Sequence, residues 1–224
     1  MASGDWVKSK SSKEGKRQKV PWRGILISIQ PRIRLLRSFD ERNHSYLGYA
    51  LRVQGVVGEE GCEFSIGIGK AAQAKHQFRC GDTVSGESLP VENSRKEPVE
   101  YYETSKLTIL ERSVTAQGGN PPWHEVPPEL EIYRQRGHRR LDPRTYDAKC
   151  RSCVWGCPMT VEMIIDQWNP SNKRYRFETF CYGPRSCSLY KAGTTRKVPG
   201  RKGMTWEEPD CVDEEAVSHR RLDE

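Results

Sequence analysis

Five of the eight cysteines in this chain fall between positions 150 and 187, and their spacing constrains the fold more than any other feature. The first group, Cys150, Cys153 and Cys157, reads C-x2-C-x3-C, and the second, Cys181 and Cys187, reads C-x5-C. Between them lie two alternating, strand-like runs, Thr160 to Trp168 and Arg174 to Tyr182. They are joined by Asn169-Pro170-Ser171-Asn172, which has the composition of a turn. A hairpin brings its two ends together, so thiols that flank it converge on one point. Four thiolates there satisfy a tetrahedral Zn²⁺ at about 2.3 Å each.

This arrangement resembles a zinc ribbon, in which one cysteine pair, a hairpin and a second pair hold a structural metal. The resemblance implies Cys150, Cys153, Cys181 and Cys187 as ligands, with Cys157 either spare or a replacement within the first pair. The fifth cysteine and the long second spacing depart from the usual pattern. Three close cysteines before a distant fourth also suit an iron–sulfur cluster, although the ferredoxin run C-x2-C-x2-C is not matched. Buried free thiols or disulfides are the remaining alternative. A structural zinc would supply folding energy to a module too small to sustain a core alone. Cys62 and Cys80 stand apart and read as small buried apolar residues.

The first half of the chain reads as β structure. Trp22 to Ser38 alternates around Ile25, Ile27, Ile29, Ile33 and Leu35, with Pro31 marking a bend or bulge. Tyr46 to Val57 alternates around Leu47, Tyr49, Leu51 and Val53, and Cys62 to Ile68 presents Phe64, Ile66 and Ile68. Gly69 to Phe78 is Ala-rich and predicts a short helix. Gly81 to Val91 and Glu103 to Glu111 supply two further strands. Three strands, a helix and two strands resemble the OB-fold, a five-stranded barrel with its helix between strands three and four. The expected fold is therefore mainly β, an OB-fold-like barrel with one short helix plus a small β-hairpin zinc module. The expected domains are a disordered basic tail over 1–21, the barrel over 22–112 and a Pro/Arg-rich connector over 113–149. The zinc-ribbon-like module follows over 150–206, with an acidic tail over 207–224.

The net charge of +7 favours polyanionic partners, and the charge is uneven. Lys8 to Lys19 carries six cations against one acid, whereas Glu207 to Glu224 carries eight acids against Arg220 and Arg221. On the barrel strands Arg32, Arg34, Arg37, Arg42 and Arg52 are interleaved with Phe39, Tyr46 and Tyr49. Cations that track phosphates and rings that stack bases are how single strands are held; Tyr46 and Tyr49 read equally well as core. A second basic block holds Lys191, Arg196, Lys197, Arg201 and Lys202. The five histidines, His44, His76, His124, His138 and His219, show no metal spacing and read as surface or loop residues, and no catalytic set is evident.

No run is apolar enough to predict a membrane span, and the basic N-terminus lacks the apolar core of a secretory signal. The expected setting is cytoplasmic and reducing, where clustered thiols favour metal over disulfides. The sequence thus points to a non-enzymatic protein that binds single-stranded RNA or DNA, with a structural zinc, within a larger assembly. The rivals are an iron–sulfur accessory protein docking an acidic partner, and a protein–protein adaptor.

Overall fold

A computed structural model describes residues 17–38, 42–114, 120–209 and 211–221. The Lys-rich stretch before Arg17, Phe39 and the last three residues of the acidic stretch lie outside them.

The first half of the chain forms β1 (Val20–Arg37), β2 (Arg42–Val57), β3 (Glu60–Ile68), α1 (Lys70–His76), β4 (Thr83–Pro90) and β5 (Tyr101–Glu111). The strands close on themselves in the order β1-β2-β3-β5-β4-β1. All neighbours are antiparallel except β3 and β5, which run parallel and meet through the pair Ile66 and Tyr101. Such a ring needs strands that bend. Gly24 and Gly55 face each other across β1 and β2. A Cβ on Gly55 would sit 2.1 Å from the carbonyl oxygen of Arg23, so only glycine permits that close crossing.

The alternation expected in β1 changes phase. Ile29, Ile33 and Leu35 are buried as expected, but Ile25 is 50% exposed while Trp22 and Leu26 occupy the core. The cause is a register shift between Leu26 and Ser28, since one extra residue in a strand sends every side chain before it to the opposite face. The expected faces of β2 and β3 hold: Tyr49, Leu51, Val53, Phe64, Ile66 and Ile68 are all buried.

The second half adds α2 (Leu130–Arg136), β6 (Arg139–Arg140), α3 (Pro143–Thr145) with a π-helical turn over Tyr146–Cys150, and a hairpin of β7 (Gly156–Ile164) and β8 (Lys173–Cys181). It ends in the small ribbon of β9 (Lys197–Pro199) and β10 (Thr205–Glu207), followed by α4 (Cys211–Val217). The far end of β1 pairs in parallel with β7, from Arg34 opposite Thr160 to Arg37 opposite Met163. The hairpin therefore continues the sheet of the ring. One apolar cluster runs through both, joining Leu26, Ile29 and Leu51 to Met159, Val161 and Phe180. The acidic C-terminal stretch is more than a solvated tail: Asp213 of α4 accepts from the buried Arg140 side chain at 2.7 Å. No helix among the described residues is long and apolar enough to cross a membrane.

Candidate metal centre and nucleic-acid interface

The β7–β8 hairpin pairs Gly156 with Cys181 and Cys157 with Phe180. Successive residues of a strand point to opposite faces, so this register separates the two cysteines. Cys181 faces a cavity of about 10 Å³ lined also by Cys150, Cys153 and Cys187, with Leu141, Trp123 and Tyr190 around them. Cys157 faces the main core, fully buried, and its Sγ donates to the Pro31 carbonyl at 3.2 Å. The structure brings together four of the five clustered thiols and leaves Cys157 apart. Among the described residues, no group of three or more His, Cys, Asp or Glu side chains has the arrangement of a formed metal site.

The backbone around the cavity is curled by local bonds. Cys153 N–H donates to the Cys150 carbonyl, and Gly156 N–H donates to that of Cys153, both at 3.1 Å. On the other side Cys187 N–H donates to the Pro184 carbonyl at 3.2 Å. The Gly183 N–H points at Cys181 Sγ, 3.4 Å away, and the amides of Trp155 and Trp123 point at the Cys153 sulfur. Such N–H donors favour a thiolate over a thiol. Burial works against them: it pushes the Cys150 thiol up to about 11 and the Cys153 thiol up to about 12, and it raises that of Cys181.

The turn is anchored to the ring by one residue that sequence reasoning did not find. Gln30, in β1 and 4% exposed, donates from Nε2 to the carbonyls of Cys150 (3.0 Å) and Cys153 (2.8 Å). Its Oε1 accepts from the Tyr146 hydroxyl at 2.6 Å. A glutamine inside an apolar alternating run, where polar residues are costly, was the available signal. Gly156 is needed beside it, because a Cβ there would lie 2.7 Å from Gln30 Nε2 and 2.8 Å from the Cys150 carbonyl oxygen.

The residues expected to bind nucleic acid divide sharply. Arg37 is buried, with Nη1 2.8 Å from Glu208 and Nη2 3.6 Å from Glu178. Arg196 is also paired with Glu178, at 2.8 Å, and lies over the Phe180 ring. Tyr49 is core, its hydroxyl donating to the Pro128 carbonyl at 2.7 Å. Arg37 and Tyr49 are thus spent on the fold, which takes Arg37 out of the expected binding surface and settles Tyr49 on its core alternative, while the half-buried Arg196 is held by its ion pair. Tyr46 is half-buried beneath the Arg134 guanidinium.

Arg32 and Arg34 share Glu97, Arg42 meets Glu208, and Arg52 shares Glu63 with Arg151. Two cations meet one carboxylate at Glu97 and again at Glu63, so a positive surplus survives the pairing there. In the second block Lys191, Lys197, Arg201 and Lys202 are exposed. Lys197 faces Glu207 at 3.4 Å, and Arg201 faces Asp166 at 3.7 Å.

Two further expectations change, and one feature is new. Cys62 is exposed and Cys80 half-buried, so neither is a core apolar residue. His44, in strand β2, and His138, both half-buried, pack ring to ring at 4.7 Å, and burial followed by the nearby Arg42 and Arg37 brings His44 down to about 4. Finally, Trp168, Met204 and Trp206 line an open groove of about 540 Å³ between the β7–β8 turn and the β9–β10 ribbon. A tryptophan in the turn segment Gln167-Trp168-Asn169-Pro170, with no core to enter, could have revealed it. No protein-family model matches this chain, and no curated protein or solved structure does.

Proposed function

We propose that the chain is a nucleic-acid-binding protein, an OB-fold-like ring fused to a zinc-ribbon-like hairpin whose metal is structural. The observation that carries the reading is the convergence of Cys150, Cys153, Cys181 and Cys187 on one cavity at the open end of a hairpin that is hydrogen-bonded to the ring. Four sulfurs with N–H donors aimed at two of them are the donor set that Zn²⁺ prefers. A space of about 10 Å³ has room for one ion-sized or water-sized occupant and favours zinc over a multi-iron cluster. Zinc would act here as a cross-link, tying the turn after Tyr146 to the end of β8.

The OB-fold reading is supported by the strand order, the parallel β3–β5 contact and the position of α1 between β3 and β4. Nucleic acid as the ligand is supported by the surplus of arginine over glutamate along β1 and β2, and by the exposed cations of the 191–202 block. Arginine suits this role because its planar fork pairs with phosphate in two-point contacts.

The test is metal analysis and an absorbance spectrum of the full chain purified under reducing conditions, followed by binding to single-stranded oligonucleotides at several salt concentrations. About one zinc per chain, no visible band and affinity falling steeply with salt are expected. Iron with a broad visible band would replace the reading with an iron–sulfur accessory protein. Zinc without oligonucleotide binding would leave the metal module in place and favour a protein–protein adaptor.

A further inference from the structure

The groove beside the β7–β8 turn has features that neither the ring nor the metal module explains. Trp168 is 85% exposed and Met204 65% exposed, on a polar chain where large apolar side chains are few. An indole at the tip of a hairpin contributes little to stability. Exposed apolar surface rimmed by charge is characteristic of an interaction site. Trp206 and Pro199 on the β9–β10 ribbon form the opposing wall, and Ile165 lies between the two sides. The volume, about 540 Å³, falls in the range of sites that accept a ring-sized ligand.

Charge selects the class of ligand. Around the groove the carboxylates are already engaged: Glu162 by Lys173, Glu207 by Lys197, and Asp166 by Arg201. Lys202, next to the lining residue Arg201, is exposed and has no carboxylate partner among the described residues. It is held in the left-handed region at φ 55°, a conformation that costs a non-glycine residue energy and fixes the turn presenting it.

We propose that this groove is a base-stacking site for single-stranded nucleic acid. Trp168 offers its ring to one base, Trp206 and Met204 close the slot, and Lys202 takes the adjoining phosphate. The inference deepens the nucleic-acid reading above and rests on it. A concave slot between two hairpins suits an inserted flat ring. A bilayer surface would call for a protrusion, and an acidic peptide would make little use of two indoles.

The full chain is titrated into a fluorescein-labelled thymidine oligonucleotide, with anisotropy and tryptophan emission read together, for wild type, Trp168→Ala, Trp168→Phe and Lys202→Ala. Trp168→Ala is expected to weaken binding about 5- to 150-fold, the range of one lost base stack. Trp168→Phe should keep most of the affinity, and Lys202→Ala should lower the salt slope by about 0.7. Because Trp168 is so exposed, circular dichroism and Tm should be unchanged in both Trp168 variants.

Wild-type binding that survives Trp168→Ala undiminished overturns the groove assignment and leaves the ring as the binding surface. A wild type that binds no oligonucleotide overturns both readings. Trp168-dependent binding of phosphatidylserine vesicles or polyglutamate, with oligonucleotide binding independent of Trp168, overturns the proposal in favour of that occupant.

Discussion

Replacing Gln30 with Leu keeps the volume of the side chain and deletes three buried hydrogen bonds at once. Two of the acceptors lose little, because the Cys150 and Cys153 carbonyls each keep a backbone donor, from Cys153 and Gly156 respectively. The Tyr146 hydroxyl loses the Gln30 oxygen that accepts from it while remaining buried, which costs about 1–3 kcal/mol. With two further bonds worth about 0.5–1.5 kcal/mol each, the expected loss for Gln30→Leu is roughly 2–6 kcal/mol. For a chain of this size each kcal/mol lowers Tm by about 2–4 °C, so the drop should be about 4–24 °C.

Chemical denaturation of the wild type, Gln30→Leu, Tyr146→Phe and the double variant separates these contributions. The double variant removes the stranded hydroxyl and should be more stable than the sum of the single losses predicts, by about 1 kcal/mol or more. A Gln30→Leu loss below about 0.5 kcal/mol, the level of an ordinary surface change, would refute the idea that β1 anchors the cysteine turn. So would strict additivity in the cycle.

Other substitutions probe the rest of the scaffold. Cys181→Ser should lower the zinc content measured by metal analysis, while Cys157→Ser should leave it unchanged and destabilise the fold by burying a hydroxyl in the apolar core. Equal metal loss in both would contradict the face assignment drawn from the hairpin register. Arg37→Met leaves Glu208 and Glu178 buried with fewer cations, at a cost of roughly 3 kcal/mol in urea unfolding; an unchanged midpoint would show that Arg42, Arg176 and Arg196 suffice. His44 is neutral when folded and its folded pKa lies below its unfolded value, so its contribution is fully present above about pH 6.5 and is lost as pH falls toward about 4. His44→Gln should make the stability profile shallower in that window, leaving the share of His138, whose pKa burial also lowers.

Much of the β content was legible in the residues themselves. Alternation in β2 and β3 named the buried set from Tyr49 to Ile68, and the Ala-rich run after Gly69 marked α1. The runs on either side of Asn169-Pro170-Ser171-Asn172 announced the hairpin whose ends gather the thiols. Those signals are local, because period, turn chemistry and propensity act over a few neighbouring residues.

Tertiary structure decided everything that depended on which strand meets which. The register of β7 against β8 sends Cys157 to the core and Cys181 to the cavity, and no spacing rule could choose between them. The shift between Leu26 and Ser28 exposes Ile25 and buries Trp22. Most consequentially, Arg37 meets Glu208 and Glu178, and Gln30 meets Cys150 and Cys153, across more than a hundred residues of chain. A charge or an amide in a sequence declares what it can bind, but its partner is set by the folding of distant segments onto one sheet. That is why arginines that read as a binding surface include one that is a buried structural tie.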